Sequence, residues 1–585
     1  MGHASRLNAA AFLTLAFAAC GGSGASHPGG GGSGPAGAGE KGGAQAGSGG
    51  AVGSGGAVGS GGAVGSGGAV GSGGANSSGG SVGSGGAAGT TPPSVLTYHN
   101  DNARTGLNPK ETVLGPTNVN VGTFGKVFSQ PVDGYVYAQP LFVPGLTIGG
   151  QAHDVVFVVT ENNSVYAFDA DAAGPVLWHT NVGAALSCSD LDDCEDLVPG
   201  AGITGTPVID PATQTMYLVS LVKDAGGSHH FLHAVDLTTG AEKLGGPVEL
   251  SPTAPGSGAN SQSGTVGFDP ATHYQRCALL LAGGVVYIGI GGNAESDSDN
   301  HGWLVGRKAS DLSSTMTFCA SPDDNWASLW QTGGGPSADA SGYIYAETAN
   351  GTFDADTGGD DYGSSALKLD PSGKVVDYFT PYNQAALSAA DIDFGAANPI
   401  VLPDQSGAVP HELLASGKPG VLYLIDRDGM GHFQAGSDSQ IVQSVSVFPN
   451  TTNITGGIFT SPVTWNGHLY VVGIGGNVQD FTLSAGKLST SPASQTSNHF
   501  TWPGATLSVS SNGSTAGIVW VLDGNRGVLL AFDATDLTTE LYDTTQGSAG
   551  RDKAGAPVKF AVPTVASGHV YVGTQTELDV YGLLP

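Results

Sequence analysis

From residue 139 onward the chain repeats one pattern: a short apolar run rich in β-branched and aromatic residues, a tight turn, a second run that often ends in Asp, and a Gly-containing turn. The first runs are VVFVVT at Val155, TMYLVS at Thr215, VVYIGI at Val285, YIYAET at Tyr343, HELLAS at His411, HLYVVG at His468, GIVWVL at Gly517 and HVYVGT at His569. The runs that follow them are SVYAFD, FLHAVD, GWLVGR, SALKLD, VLYLID, VQDFTL, VLLAFD and ELDVYG. Short runs bounded by turn residues, with no long segment of period 3.6, predict strands and a nearly all-β body. The units start about 59 residues apart, the mean of the intervals between Val155 and His569. A repeat of that length has the size of a propeller blade.

Six units also carry an X-Pro step ahead of the first run: Gln139-Pro140, Thr206-Pro207, Gly335-Pro336, Asn398-Pro399, Ser461-Pro462 and Val562-Pro563. Proline holds its predecessor extended and is tolerated at the start of a strand, so these steps predict the lead-in to each blade's innermost strand. The last unit ends near Leu583 with no fourth strand of its own, whereas GKVFSQPV at Gly125–Val132 stands ahead of the first unit unused. Pairing that segment with residues 562–583 closes the ring and removes exposed sheet edges. The expectation is an all-β, eight-bladed β-propeller closed by an N-terminal strand, with seven blades as the alternative.

Residues 93–585 are the predicted folded part. Residues 21–92 hold 33 Gly, no aromatic residue, only Glu40 and Lys41 as charges, and AVGSGG four times over from Ala51 to Gly74. That composition cannot bury enough apolar surface to offset its ordering entropy and reads as a disordered tether over 20–92. Residues 1–19 combine one charged end, an apolar stretch from Leu7 to Phe17 and small residues before Cys20, the three regions of a secretory signal. The apolar stretch is too short to span a bilayer as a mature anchor.

The formal charge is -30, from 19 basic and 49 acidic side chains, and no basic run occurs. Such a field opposes nucleic acid and anionic membrane surfaces. Of the five cysteines, four lie in the body, an even number in an exported chain. Proximity pairs Cys188 with Cys194 and leaves Cys277 with Cys319.

Several segments carry a resemblance to known proteins: TYHNDNARTGLN at Thr97, PVDGYVYAQPL at Pro131, ENNSVYAFDAD at Glu161, HGWLVG at His301, ANGTFD at Ala349, YFTPYNQ at Tyr378 and LIDRDGMG at Leu424. With AFDADAAGPVLW ending at Trp178, they resemble the PQQ-like β-propeller repeat proteins of the quinoprotein alcohol dehydrogenase-like superfamily, over essentially 95–585. LAFAAC, ending at Cys20, resembles the lipobox of bacterial lipoproteins, which implies lipidation of Cys20, and Gly21 after it implies an outer-membrane address. The quinoprotein resemblance implies PQQ beneath a vicinal disulfide with Ca²⁺ beside it, and this sequence has no adjacent Cys pair.

Candidate site residues follow from composition and placement. Asp354, Asp356, Asp360 and Asp361 lie on a Gly-rich turn of the kind that surrounds a hard cation, which makes it the Ca²⁺ candidate. His229, His230 and His233 fall on alternating faces of a strand and so do not converge on zinc. The match to GxSxG at Gly79–Gly83 lies in the tether, with no strand or helix to pose a nucleophile. Polar groups at blade lead-ins converge on a propeller axis, so Gln139, Thr206, Asn398 and Ser461, with Arg276 and Arg104, are the candidates for a ligand in the axial funnel. No complete catalytic set stands out. The expected role is a monomeric, lipid-anchored binding or scaffold module for a protein or glycan at the envelope; the alternative is a PQQ-dependent alcohol or sugar dehydrogenase.

Overall fold

The computed structural model describes residues 93–191, 197–292, 300–450 and 456–585. The signal, the tether with Cys20, and Cys194 lie outside the described residues.

Eight antiparallel sheets follow one another along the chain, each wound from the axis outward. Blade 1 is typical, with strands Leu141–Ile148, Gln151–Val159, Ser164–Asp169 and Trp178–Asn181 in spatial order. The predicted first and second runs are the second and third strands of the eight blades, and each of the six prolines directly precedes an innermost strand. Both faces of a blade are buried because blades pack on each other. On Thr215–Asp224, Met216 and Leu218 pack toward blade 1, while the alternate residues Tyr217 and Val219 pack toward blade 3. Trp178 docks across such an interface, its indole N–H donating to Leu237 O at 2.9 Å. Gly240, at φ +71°, lies against that ring where a Cβ would come within 2.6 Å.

The ring closes as the sequence predicts. Phe124–Pro131 is the outer strand of blade 8, antiparallel to Glu577–Leu583 with Gly125 opposite Gly582. Lys126 bonds the carboxylate of Asp579, which also accepts from Ser129 Oγ at 2.8 Å.

A second N-terminal segment has no counterpart in the repeat. Residues 95–108 visit the innermost strands of all eight blades in order. Val95 exchanges two backbone bonds with Phe142, and Leu96 O accepts from Ile209 N at 2.8 Å. The Asn102 amide donates to Leu281 O at 2.8 Å, and its backbone O accepts from Ala338 N at 2.8 Å. Ala103, Thr105 and Gly106 carbonyls accept from Val401, Thr464 and Val509, and the Asn108 amide donates to Val565 O at 2.8 Å. An innermost strand otherwise turns unpaired N–H and C=O groups to the channel. This axial ring satisfies one on every blade.

One disulfide expectation is corrected. Cys188 is disulfide-bonded, but Cys277 and Cys319 are free and buried. Cys277 precedes the innermost strand of blade 3, Leu280–Ala282, and packs toward blade 4; Cys319 ends the outermost strand, Ser314–Cys319, and packs toward blade 2. Three strand spacings, about 14 Å, separate positions on opposite faces, well outside disulfide reach. The Cys277 thiol instead donates to Leu329 O at 3.0 Å.

Candidate functional site

The predicted axial residues do gather at the axis, mostly engaged with one another and with the axial ring. Gln139 N donates to Thr206 Oγ1 at 2.9 Å, and Gln139 Oε1 accepts from His99 N at 2.9 Å. Ser461 Oγ hydrogen-bonds both Asn398 Oδ1 and the Tyr98 hydroxyl. Arg104 is fully buried and is part of the ring. Its guanidinium donates to Pro336 O at 3.1 Å, Thr97 Oγ1 at 2.7 Å, Tyr98 O at 2.9 Å and Leu279 O at 3.0 Å. Burial lowers its pKa to about 10, opposed by Asp101, so it stays charged at neutral pH.

Arg276 takes a different place. It stacks over the rings of Trp330 and Phe560, at 5.6 and 5.4 Å. Phe560 meets Trp502 edge to face at 6.2 Å, and Trp502 meets Phe459 at 5.2 Å. Lys418 Nζ then lies 5.8 Å from both Phe459 and Trp330. These six side chains form a closed crown of rings and cations. Tyr98 packs with Ala278 and Val562, two residues along the chain from Arg276 and Phe560, so the axial ring lies next to the crown. Trp502 is 46% exposed, while Arg276 and Lys418 are nearly buried. Lys418 is neutralised by Asp393 at 2.6 Å and Asp391 at 3.0 Å.

On the Arg276 side the crown adjoins a polar patch along residues 202–206. Gly202 N donates to Glu161 Oε2 at 2.6 Å, and Gln275 lies against Gly205, where a Cβ would meet its Oε1 at 2.5 Å. Burial pushes the Glu161 carboxyl up to about 7, with the Gly202 N–H, the Thr204 hydroxyl and the Arg276 charge pulling against it. Among the described residues, Glu161 Oε1, Gln139 Nε2, Gln275 Oε1, Arg276 Nη2 and His99 Nδ1 are buried without a hydrogen-bond partner. Buried polar atoms are nearly always paired, so a cluster of exceptions calls for an occupant.

Crown and patch meet at Arg276, which stacks on the rings and acts on Glu161, and together they are the candidate site, here termed the axial cup. Sequence reasoning found Arg276 and Gln139 and missed Glu161, Gln275, Trp330, Lys418, Phe459, Trp502 and Phe560. One signal was available: Phe459 and Phe560 each stand two residues before the X of an X-Pro step, as Tyr137 does before Gln139.

The acidic loop turns its groups on itself. Asp354 Oδ1 accepts from Asp361 N at 2.9 Å, and Asp361 Oδ1 accepts from Asp323 N at 3.0 Å. Burial raises Asp361 to about 6, helped by the charges of Asp354, Asp323 and Asp324. Among the described residues no three His, Cys, Asp or Glu side chains are grouped to hold a metal ion. The histidines separate as alternation requires. His229 faces Glu249 at 2.8 Å, His233 faces Glu242 at 2.9 Å, and His230 is buried against Phe268.

No protein-family model and no curated protein matches the chain. Among solved structures it is similar to a europium-containing methanol dehydrogenase, with TM-score 0.57, 13% identity, and coverage of 84% of this chain and 98% of that one. It is also similar to the quinohemoprotein alcohol dehydrogenases of Comamonas testosteroni and Pseudomonas putida HK5. Both have TM-score 0.55 and cover 84% of this chain and 80% of theirs, at 15% and 14% identity. At these identities the likeness is one of fold, that of an eight-bladed β-propeller.

Proposed function

We propose that the protein is an exported, lipid-anchored propeller that binds a partner molecule at the cell envelope through its axial cup and performs no chemistry on it. The carrying observation is the division of labour at the axis. The ring 95–108 bonds to every innermost strand, while the adjoining cup keeps buried polar atoms unpaired beside a crown of aromatic rings. A rigid body with one such cup is suited to recognition. The anchor at Cys20 and the long Gly/Ser tether support an envelope location on a leash.

A PQQ-dependent dehydrogenase is the second reading, favoured by the gathering of aromatic rings and two cations beside the axis. The residues do not fit the rest of that site. No adjacent Cys pair exists to cover it, and Asp391 and Asp393 are held by Lys418. Mixing the purified full chain with PQQ and Ca²⁺ separates the two. The binding reading expects no quinone absorbance retained on gel filtration and no dye reduction with a panel of alcohols and sugars; alcohol-dependent dye reduction overturns it.

A further inference from the structure

We infer that the cup takes a neutral polyhydroxylated ring, a sugar residue of a glycan, stacked on the crown and hydrogen-bonded by the patch along residues 202–206. This rests on the reading above that the cup is the binding end. The argument is a balance of donors and acceptors. Gln139 Nε2 and Arg276 Nη2 are unpartnered donors, and Glu161 Oε1 and Gln275 Oε1 are unpartnered oxygens, all four in residues no more than 8% exposed.

These atoms belong to one place. Gln139 is tied to Thr206, Gln275 lies against Gly205, Glu161 is bonded to Gly202, and Arg276 follows Gln275 in the chain and acts on the Glu161 carboxyl. A hydroxyl both donates and accepts, so a ring of hydroxyls can satisfy both kinds of atom. A carboxylate or phosphate only accepts and would leave the Gln275 oxygen facing its charge. The nearby charges point the same way, because Lys418 is already matched by two carboxylates and Arg276 acts on the Glu161 carboxyl. Arg276 joins the patch to the rings of Trp330 and Phe560. The C–H face of a pyranose covers such rings through dispersion and apolar burial.

The test is calorimetric titration of the full chain with methyl glycosides of glucose, galactose, mannose and N-acetylglucosamine and their trisaccharides, run beside trimellitate as a planar anionic probe. The expected result is saturable binding of at least one neutral glycoside and none of trimellitate. Trp330→Ala should weaken that binding about three- to tenfold, the worth of one aromatic contact. Trp502→Ala, on an exposed ring, gives a second variant with little risk to folding and should weaken trisaccharide binding in the same range. Binding of trimellitate alone overturns the ligand class and leaves the cup as a binding site. Glycoside binding untouched by both variants places the sugar elsewhere and overturns the inference. No binding of any probe assigns the unpaired atoms to water and overturns it as well. Alcohol-dependent dye reduction with PQQ would instead sink the non-catalytic reading, so the two failures are distinct.

Discussion

Replacing Arg104 by Met tests whether residues 95–108 hold the ring together. The side chain is fully buried and reaches three backbone carbonyls and one hydroxyl. Met fills much of the stem volume but supplies no donor. Leu279 O keeps Thr97 Oγ1 as a donor at 3.3 Å, so the carbonyls of Pro336 and Tyr98 bear the loss. An orphaned buried carbonyl costs about 1–3 kcal/mol, and removing one member of a buried charged network about 3–5 kcal/mol. A loss of about 4 kcal/mol is therefore expected. With an unfolding entropy of about 2 cal/mol/K per residue over roughly 490 folded residues, that lowers Tm by about 4 °C. Differential scanning calorimetry reads the shift. Hydrogen exchange should show faster exchange at the ring-bonded amides of Ala338, Val401, Thr464 and Val509. Arg104→Lys, which keeps the charge without the fork, should fall between. A Tm within 1 °C of wild type, with those amides still protected, would refute the assignment of Arg104 to the ring.

Three further outcomes are expected. Gly106→Ala should destabilise by more than about 2 kcal/mol in urea unfolding, because φ is +70° and a Cβ would come within 2.3 Å of Val463 Cγ1. For Glu161 the folded carboxyl titrates near 7 against an ordinary 4.5. Its contribution is therefore undiminished below about pH 4.5 and falls as pH rises toward 7, by about 3 kcal/mol. Glu161→Gln should remove that slope, seen as wild-type and variant stability curves that converge at acid pH. Alkylation of the non-reduced chain followed by mass spectrometry should label Cys277 and Cys319 only after unfolding, since both are free and buried and burial raises both thiols, Cys319 to about 12.

The blades were legible because each second and third strand is a short apolar run between turn residues, and the closing strand because Glu577–Leu583 had no outer partner in its own repeat. The axial ring was not, because its contacts are mostly main-chain bonds that leave no hydropathy signal: TYHNDNARTGLN reads as a polar loop. Arg104 was recognised as axial, but composition does not tell a ligand-facing guanidinium from one aimed at carbonyls. The Cys277–Cys319 pairing failed for a related reason. Parity counts thiols, whereas strand alternation and blade width decide whether two of them can meet. Gln139 was found from the X-Pro register and Arg276 from the matching lead-in of unit three, and the crown's aromatics were missed because Phe459 and Phe560 sit two residues ahead of an X-Pro step, in connecting loops.

The amide of Asn108 and the carbonyl of Val565 that it meets are 457 positions apart in the chain, so a stretch made early has to wait for one made late. A nascent chain can stack early blades against this segment, yet the bond that ties its far end to blade 8 forms only after blade 8 is made. Such a body gains the inner half of its bonding only once its two ends have met.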